Sequence, residues 1–123
     1  MKILVTDDSK MARKMVIKIL NDVLNENVEV FEGQNGQEAF DLYKEHIPEI
    51  VFLDLTMPIK NGFEDLSKIK EFEKNAKVVI ISADIQKLSM DKALQLGAFN
   101  FIKKPIDLEK MQQILGKINE LDK

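Results

Sequence analysis

IVFLDLTMP, residues 50–58, is an apolar run that ends on an acid. Ile50, Val51, Phe52 and Leu53 alternate with nothing, so a strand built from them is covered on both faces, as strands of a parallel sheet are. The same run carries Asp54 to its tip, and Pro58 breaks the pattern four residues later. Two further segments have this unbroken character, ILV at 3–5 and VVII at 78–81. Helical spacing fills the intervals between such runs. Ala12, Met15, Val16, Ile19, Leu20 and Val23 share one face, with Arg13, Lys14 and Lys18 expected to point away. Ala39, Phe40 and Tyr43 open a second helix after Asn35-Gly36. Phe63, Leu66 and Ile69 mark a third, and residues 88–96 a fourth closed by Gly97. Leu108, Met111, Leu115 and Ile118 mark a fifth. Strands alternating with helices predict an α/β fold, a doubly wound five-stranded parallel sheet with five helices.

Two strand-like segments differ from the rest. VEV at 28–30 and FNF at 99–101 alternate apolar with polar, as half-exposed edge strands do. The second and fifth strands therefore flank the first, third and fourth. In open sheets of this type, ligands bind beyond the carboxyl ends of the strands, where the order reverses. At that edge fall Asp7-Asp8 after the first strand, Asp54 after the third, Ser82 after the fourth and Lys104 after the fifth.

The chain has 123 residues, room for one domain over residues 1–123 and one core. Its 45% hydrophobic and 32% charged residues describe a soluble protein, with no apolar run long enough to span a bilayer and no signal peptide before the first strand. It holds no cysteine, which excludes disulfides and thiolate metal sites and fits a cytoplasmic location. A net charge of −3 argues against nucleic acid as the main partner. No repeat or low-complexity linker interrupts it.

Three carboxylates at one edge repel each other, by about 1 to 4 kcal/mol for a pair roughly 4 Å apart. Such a cluster calls for a cation. Oxygen ligands without nearby His or Cys suit hard Mg²⁺ better than Zn²⁺. A metal site alone needs neither Lys104 nor Ser82. A phosphoryl group seated between Lys104 and the metal uses both, which is equipment for phosphoryl transfer onto an acid.

VTDDS at 5–9, NGQEA at 35–39, FLDLTMPIKNG at 52–62, VVIISA at 78–83, ALQLGA at 93–98 and FIKKP at 101–105 follow one another in an order that resembles the receiver domains of bacterial two-component response regulators. The single-domain, CheY-like chemotaxis proteins are closest in appearance. That family is itself a standard example of strand order 2-1-3-4-5, so the resemblance, beyond the edge-strand pattern, supplies the full order. It implies that Asp54 is the phosphorylated aspartate. It also implies that Asp8 and Asp54 bind Mg²⁺ directly, Asp7 through water and Thr56 through its backbone carbonyl. Ser82 matches the hydroxyl that turns toward the phosphoryl group, Lys104 the phosphate-binding lysine, and Phe101 the aromatic that rotates inward on activation. The peptide bond before Pro105 is expected to be cis, as in the family. Asn61 stands where the family often has an acid, and Phe101 lacks the hydroxyl of the commoner tyrosine.

The function so implied is a phosphorylation switch. A histidine kinase donates the phosphoryl group to Asp54, the surface of the fourth helix, fifth strand and fifth helix (roughly 85–96 and 99–121) changes, and a downstream protein reads it before autodephosphorylation resets it. A monomer without an output domain is expected, possible settings being chemotaxis or a phosphorelay. An aspartyl-nucleophile Mg²⁺ phosphatase is the alternative enzyme, but it calls for a second acid two residues after the nucleophile, where Thr56 stands. A scaffold that never becomes phosphorylated leaves the full residue set without a use. His46 before Ile47-Pro48 is expected at the surface, and most methionines in the core.

Overall fold

The structure is a computed structural model. It describes the chain except residues 25–27, 55–61, 84–86, 105 and 122–123, and except the side chains of 62, 87–89 and 119–121. Five strands alternate with five helices: β1 (Lys2–Thr6), α1 (Lys10–Val23), β2 (Glu29–Gly33), α2 (Gly36–His46), β3 (Ile50–Asp54), α3 (Gly62–Phe72), β4 (Val78–Ser82), α4 (Lys87–Gln95), β5 (Asn100–Lys103) and α5 (Leu108–Leu121). The strands are all parallel, in the order β2-β1-β3-β4-β5. The expected architecture and order are those observed, and β2 and β5 are the edges.

Alternate residues of the central strands feed two cores. Ile3, Val5, Phe52, Val79 and Ile81 face α1 and α5, where Val16, Leu20, Met111, Ile114, Leu115 and Ile118 meet them. Leu4, Val51, Leu53, Val78 and Ile80 face the other way, toward Ala39 and Tyr43 of α2, Leu66 and Ile69 of α3 and Ala93 of α4. Each fully buried side chain of this size contributes about 1.5–3 kcal/mol relative to exposure, so β3, apolar on both faces, is anchored from two sides. Asp54 therefore leaves the sheet at the end of a strand held from both faces and paired on both sides.

Local chemistry sets the helix ends near that edge. Ser9 caps α1, its hydroxyl accepting from the Ala12 N–H at 3.2 Å, and Asn35 caps α2 by accepting from the Glu38 N–H at 3.0 Å. Each cap is worth about 1 kcal/mol. Gly97, at φ +103°, follows α4 in a left-handed turn that disfavours any residue with a β-carbon, the C-terminal role expected of it.

The open side of β5 is partly closed by side chains. Lys104 N–H bonds the Ser82 carbonyl on β4, so residues 101 and 103 direct their backbone groups outward. The Asn100 Oδ1 accepts from the Phe101 N–H at 2.7 Å, and Lys110 Nζ reaches the Lys103 carbonyl at 3.4 Å. On the opposite edge, Glu29 and Glu32 of β2 are exposed.

Five side chains depart from the sequence reading. Arg13 is only 6% exposed, because positions 13, 16 and 20 share a stripe and its charge misled the assignment. Met15, placed on the buried face, flanks that stripe and is 48% exposed, and Met11 is exposed as well. Leu108 opens α5 in the first turn, before the helix settles onto the sheet, and stays half exposed. His46, expected at the surface, is half-buried with its ring stacked on Phe31 at 3.8 Å.

Candidate functional site

The carboxyl ends of β1, β3, β4 and the turn after β5 bring Asp7, Asp8, Asp54, Ser82 and Lys104 to one edge of the sheet. Carboxylate oxygens of Asp7, Asp8 and Asp54 all lie within 4.8 Å of one another. Lys104 Nζ stands among them, 2.9 Å from Asp7 Oδ2 and 3.2 Å from Asp54 Oδ2. Ser82 is fully buried at the end of β4, in register with Lys103. Phe101, two residues back, is half-buried on the face covered by α2, α3 and α4. Thr56 lies outside the described residues, as do Pro58, Asn61 and Pro105 with the peptide bond before it.

The two N-terminal acids have opposite environments. Burial alone would raise the Asp7 carboxyl, but the Ser9 N–H, 2.9 Å from Oδ1, and the Lys104 ammonium outweigh it and hold the group below the usual aspartate range. Asp8 is exposed, yet its carboxyl is pushed up, first by contact with the Asp7 carboxyl, then by burial and by repulsion from Asp7 and Asp54. Burial works to lower the Lys104 ammonium, and Asp7 and Asp54 override it, so its pKa is raised. An ionised trio with one lysine is left with excess negative charge. The donor set fits a hard divalent cation: oxygens only, one acid exposed and open to a ligand, and a strained carboxyl that a cation would relieve.

The chain belongs to the family of response regulator receiver domains. The family pattern matches residues 3–116. The chemotaxis protein CheY of Halobacterium salinarum is 34% identical over 118 residues, 95% of either chain. CheY of Treponema pallidum is 40% identical over 120 residues, covering 95% of this chain and 81% of that one. Among solved structures, the CheX–CheY–BeF₃–Mg²⁺ complex from Borrelia burgdorferi superposes with a TM-score of 0.88 at 36% identity, covering 96% of this chain and 88% of its counterpart. This receiver domain has the fold of its CheY relatives, and no described helix is long and apolar enough to cross a membrane.

One contact at the site escaped the sequence reading. The Arg13 guanidinium donates from Nη1 to the Asp7 carbonyl at 2.7 Å and from Nε to Glu32 Oε1 at 3.0 Å. The spacing of Arg13 with Val16 and Leu20 was the available signal. Asp65 of α3, also absent from that reading, is fully buried against Gly36 at the start of α2.

Proposed function

We propose that residues 1–123 form a phosphoacceptor unit in which Asp54 takes a phosphoryl group from a histidine kinase and a protein partner reads the result. The observation that carries this is the Lys104 ammonium shared between Asp7 and Asp54, beside a third carboxylate within 4.8 Å. In the transfer, an Asp54 oxygen forms the new bond to phosphorus while the bond from phosphorus to the donor's imidazole nitrogen breaks, and the imidazole leaves with the electron pair and is protonated. Asp7, Asp8 and Asp54 would hold Mg²⁺, which when bound supplies positive charge to the phosphoryl oxygens. Lys104 turns from the carboxylates to a phosphoryl oxygen, a charge-assisted contact stronger than a neutral one. Ser82 offers its hydroxyl to a second oxygen. Water later attacks the same phosphorus, returning the Asp54 carboxylate and inorganic phosphate.

The output face in this reading is α4, β5 and α5. Ser82 and Phe101 lie on adjacent strands, and Phe101 already packs at the edge of the core beneath α4. A turn of the Ser82 hydroxyl toward the phosphoryl group vacates space that the Phe101 ring fills. Its inward state leaves no hydroxyl to satisfy, so packing alone sets the preference. The Borrelia relative, crystallised as a CheX complex with BeF₃ and Mg²⁺, supports both the ligand class and a protein partner.

Incubation with acetyl phosphate and Mg²⁺, followed by mass spectrometry, tests the chemistry. One phosphoryl group on Asp54, absent from Asp54→Asn, is expected. Rapid turnover of many phosphate esters without a stable adduct would favour the phosphatase. Amide shifts with beryllofluoride and Mg²⁺ test the switch; changes confined to the loops around Asp8 and Asp54, with Phe101 and α4 silent, would refute it.

A further inference from the structure

Asp7 is held at four atoms. Its N–H donates to the Gly33 carbonyl at 3.1 Å, and its two carboxylate oxygens accept from the Ser9 N–H and from Lys104. Its carbonyl accepts from Arg13 Nη1 at 2.7 Å. The first three partners are backbone or the site's own lysine. The fourth is a guanidinium carried in by α1 and buried to 6% exposure.

A buried cation is costly unless it is paired and hydrogen-bonded. Leucine or methionine at position 13 would cover the stripe of Val16 and Leu20 without that cost. What the guanidinium adds is a directed donor. Glu32, at the end of β2, aims it through the 3.0 Å contact to Nε, and the planar fork then presents Nη1 to the Asp7 carbonyl. That carbonyl belongs to the rigid peptide joining Asp7 to Asp8, so its direction sets where the Asp8 side chain leaves the backbone.

We propose that Arg13, oriented by Glu32, is a positioning residue of the acidic site: it locks the Asp7–Asp8 peptide so that both carboxylates face Asp54. The inference rests on the reading of that site as a Mg²⁺ and phosphoryl centre. Arg13 touches neither the ion nor the phosphoryl group. It acts as an outer partner of a ligand, where loss of the partner costs about 10–100-fold in metal affinity.

The test uses the full chain with Arg13→Gln, Arg13→Lys, Glu32→Gln and Asp8→Asn. Mg²⁺ is titrated while the Asp8 and Asp54 amide shifts are followed, and amide exchange is measured without metal at Asp7, Leu20 and Val79. Arg13→Gln is expected to weaken Mg²⁺ about tenfold or more. It should also speed exchange at Asp7 while Leu20 and Val79 keep their protection, a pattern that general loosening would not produce. Arg13→Lys should fall between, since an ammonium reaches the carbonyl without the fork, and Glu32→Gln should show a smaller loss. If Arg13→Gln does not fold, the other two Arg13–Glu32 variants decide. Mg²⁺ affinity within twofold of wild type in them, or equal acceleration at all three amides, overturns the inference. Asp8→Asn separates the two levels. If it weakens Mg²⁺ while the Arg13 and Glu32 variants do not, the inference alone fails. If it binds Mg²⁺ as well as wild type does, the site reading fails and the inference falls with it.

Discussion

Lys104 Nζ lies 2.9 Å from Asp7 Oδ2, a contact closed across 97 residues of sequence. The ammonium also reaches Asp54 and is the cation the carboxylates share without metal. Lys104→Met should therefore lower the stability of the metal-free protein by about 1–2 kcal/mol, allowing for the partial exposure of the lysine. Mg²⁺ should then raise the melting temperature of the variant more than that of wild type, because the ion neutralises what the lysine no longer does. Equal Mg²⁺-induced shifts in the two proteins would contradict this role. The Lys104 pKa is raised by folding, so its contribution is complete below the ordinary lysine value of 10.5 and disappears as pH climbs through the folded value. Denaturation midpoints of wild type and variant should converge in that alkaline range.

Mg²⁺ affinity should fall on acidification earlier than an ordinary aspartate would allow. The Asp8 carboxyl is raised by Asp7 and Asp54, and a proton there competes with the ion. For folding the sign is reversed from the usual carboxylate: ionised Asp8 costs stability, and the cost is relieved as pH falls through its raised value. Asp7 is depressed, so its contribution is present above the usual aspartate value and is lost as pH falls through the lower folded one. Titrations of Mg²⁺ between pH 4 and 8 (about one aspartate range and above) should show the decline in wild type and a weaker one in Asp8→Asn.

Asp54→Asn should abolish phosphorylation and stabilise the metal-free fold. Asp54 is 2% exposed and stands within a few ångströms of two other carboxylates. Asparagine keeps an oxygen for Lys104 while removing the repulsion, for a gain of about 1 kcal/mol. Urea denaturation with a midpoint below wild type would show that the repulsion is already offset.

Gly36→Ala should destabilise by about 1–3 kcal/mol. A β-carbon there would overlap the fully buried Asp65 carboxylate, so that side chain, or α2 and α3 with it, would have to shift. Gly36→Ala with Asp65→Ala should lose less than the two single losses added. Chemical denaturation of the four proteins measures that coupling, and simple additivity would place the strain elsewhere.

Much of the fold was legible because the three central strands are apolar without interruption and the edges alternate. That Asp7, Asp8, Asp54, Ser82 and Lys104 meet at one sheet edge was legible for a related reason, since each ends or follows a parallel strand. Arg13 was not, because a charged residue on a helix is read as solvated unless its partners are known, and Glu32 and the Asp7 carbonyl come from other elements. Met15 and Leu108 failed for the converse reason: hydrophobicity marks a candidate for burial, but Met15 flanks the buried stripe of α1 and Leu108 lies in the first turn of α5. Asp65 opposite Gly36 is a pairing between helices with no signature in either segment alone.

The two margins of the sheet have opposite character, with Glu29 and Glu32 along β2 and Lys103 and Lys110 along β5. A head-to-tail contact between the β5 margin of one copy and the β2 margin of another would bring these opposite charges together, and contacts of that kind either close into rings or run on as open filaments. The Asn100 amide and the Lys110 ammonium occupy a donor and an acceptor that such an added strand would engage. With these two positions taken by its own side chains, the β5 margin offers a neighbouring strand fewer open backbone groups, and exposed strand margins are where unwanted pairing starts.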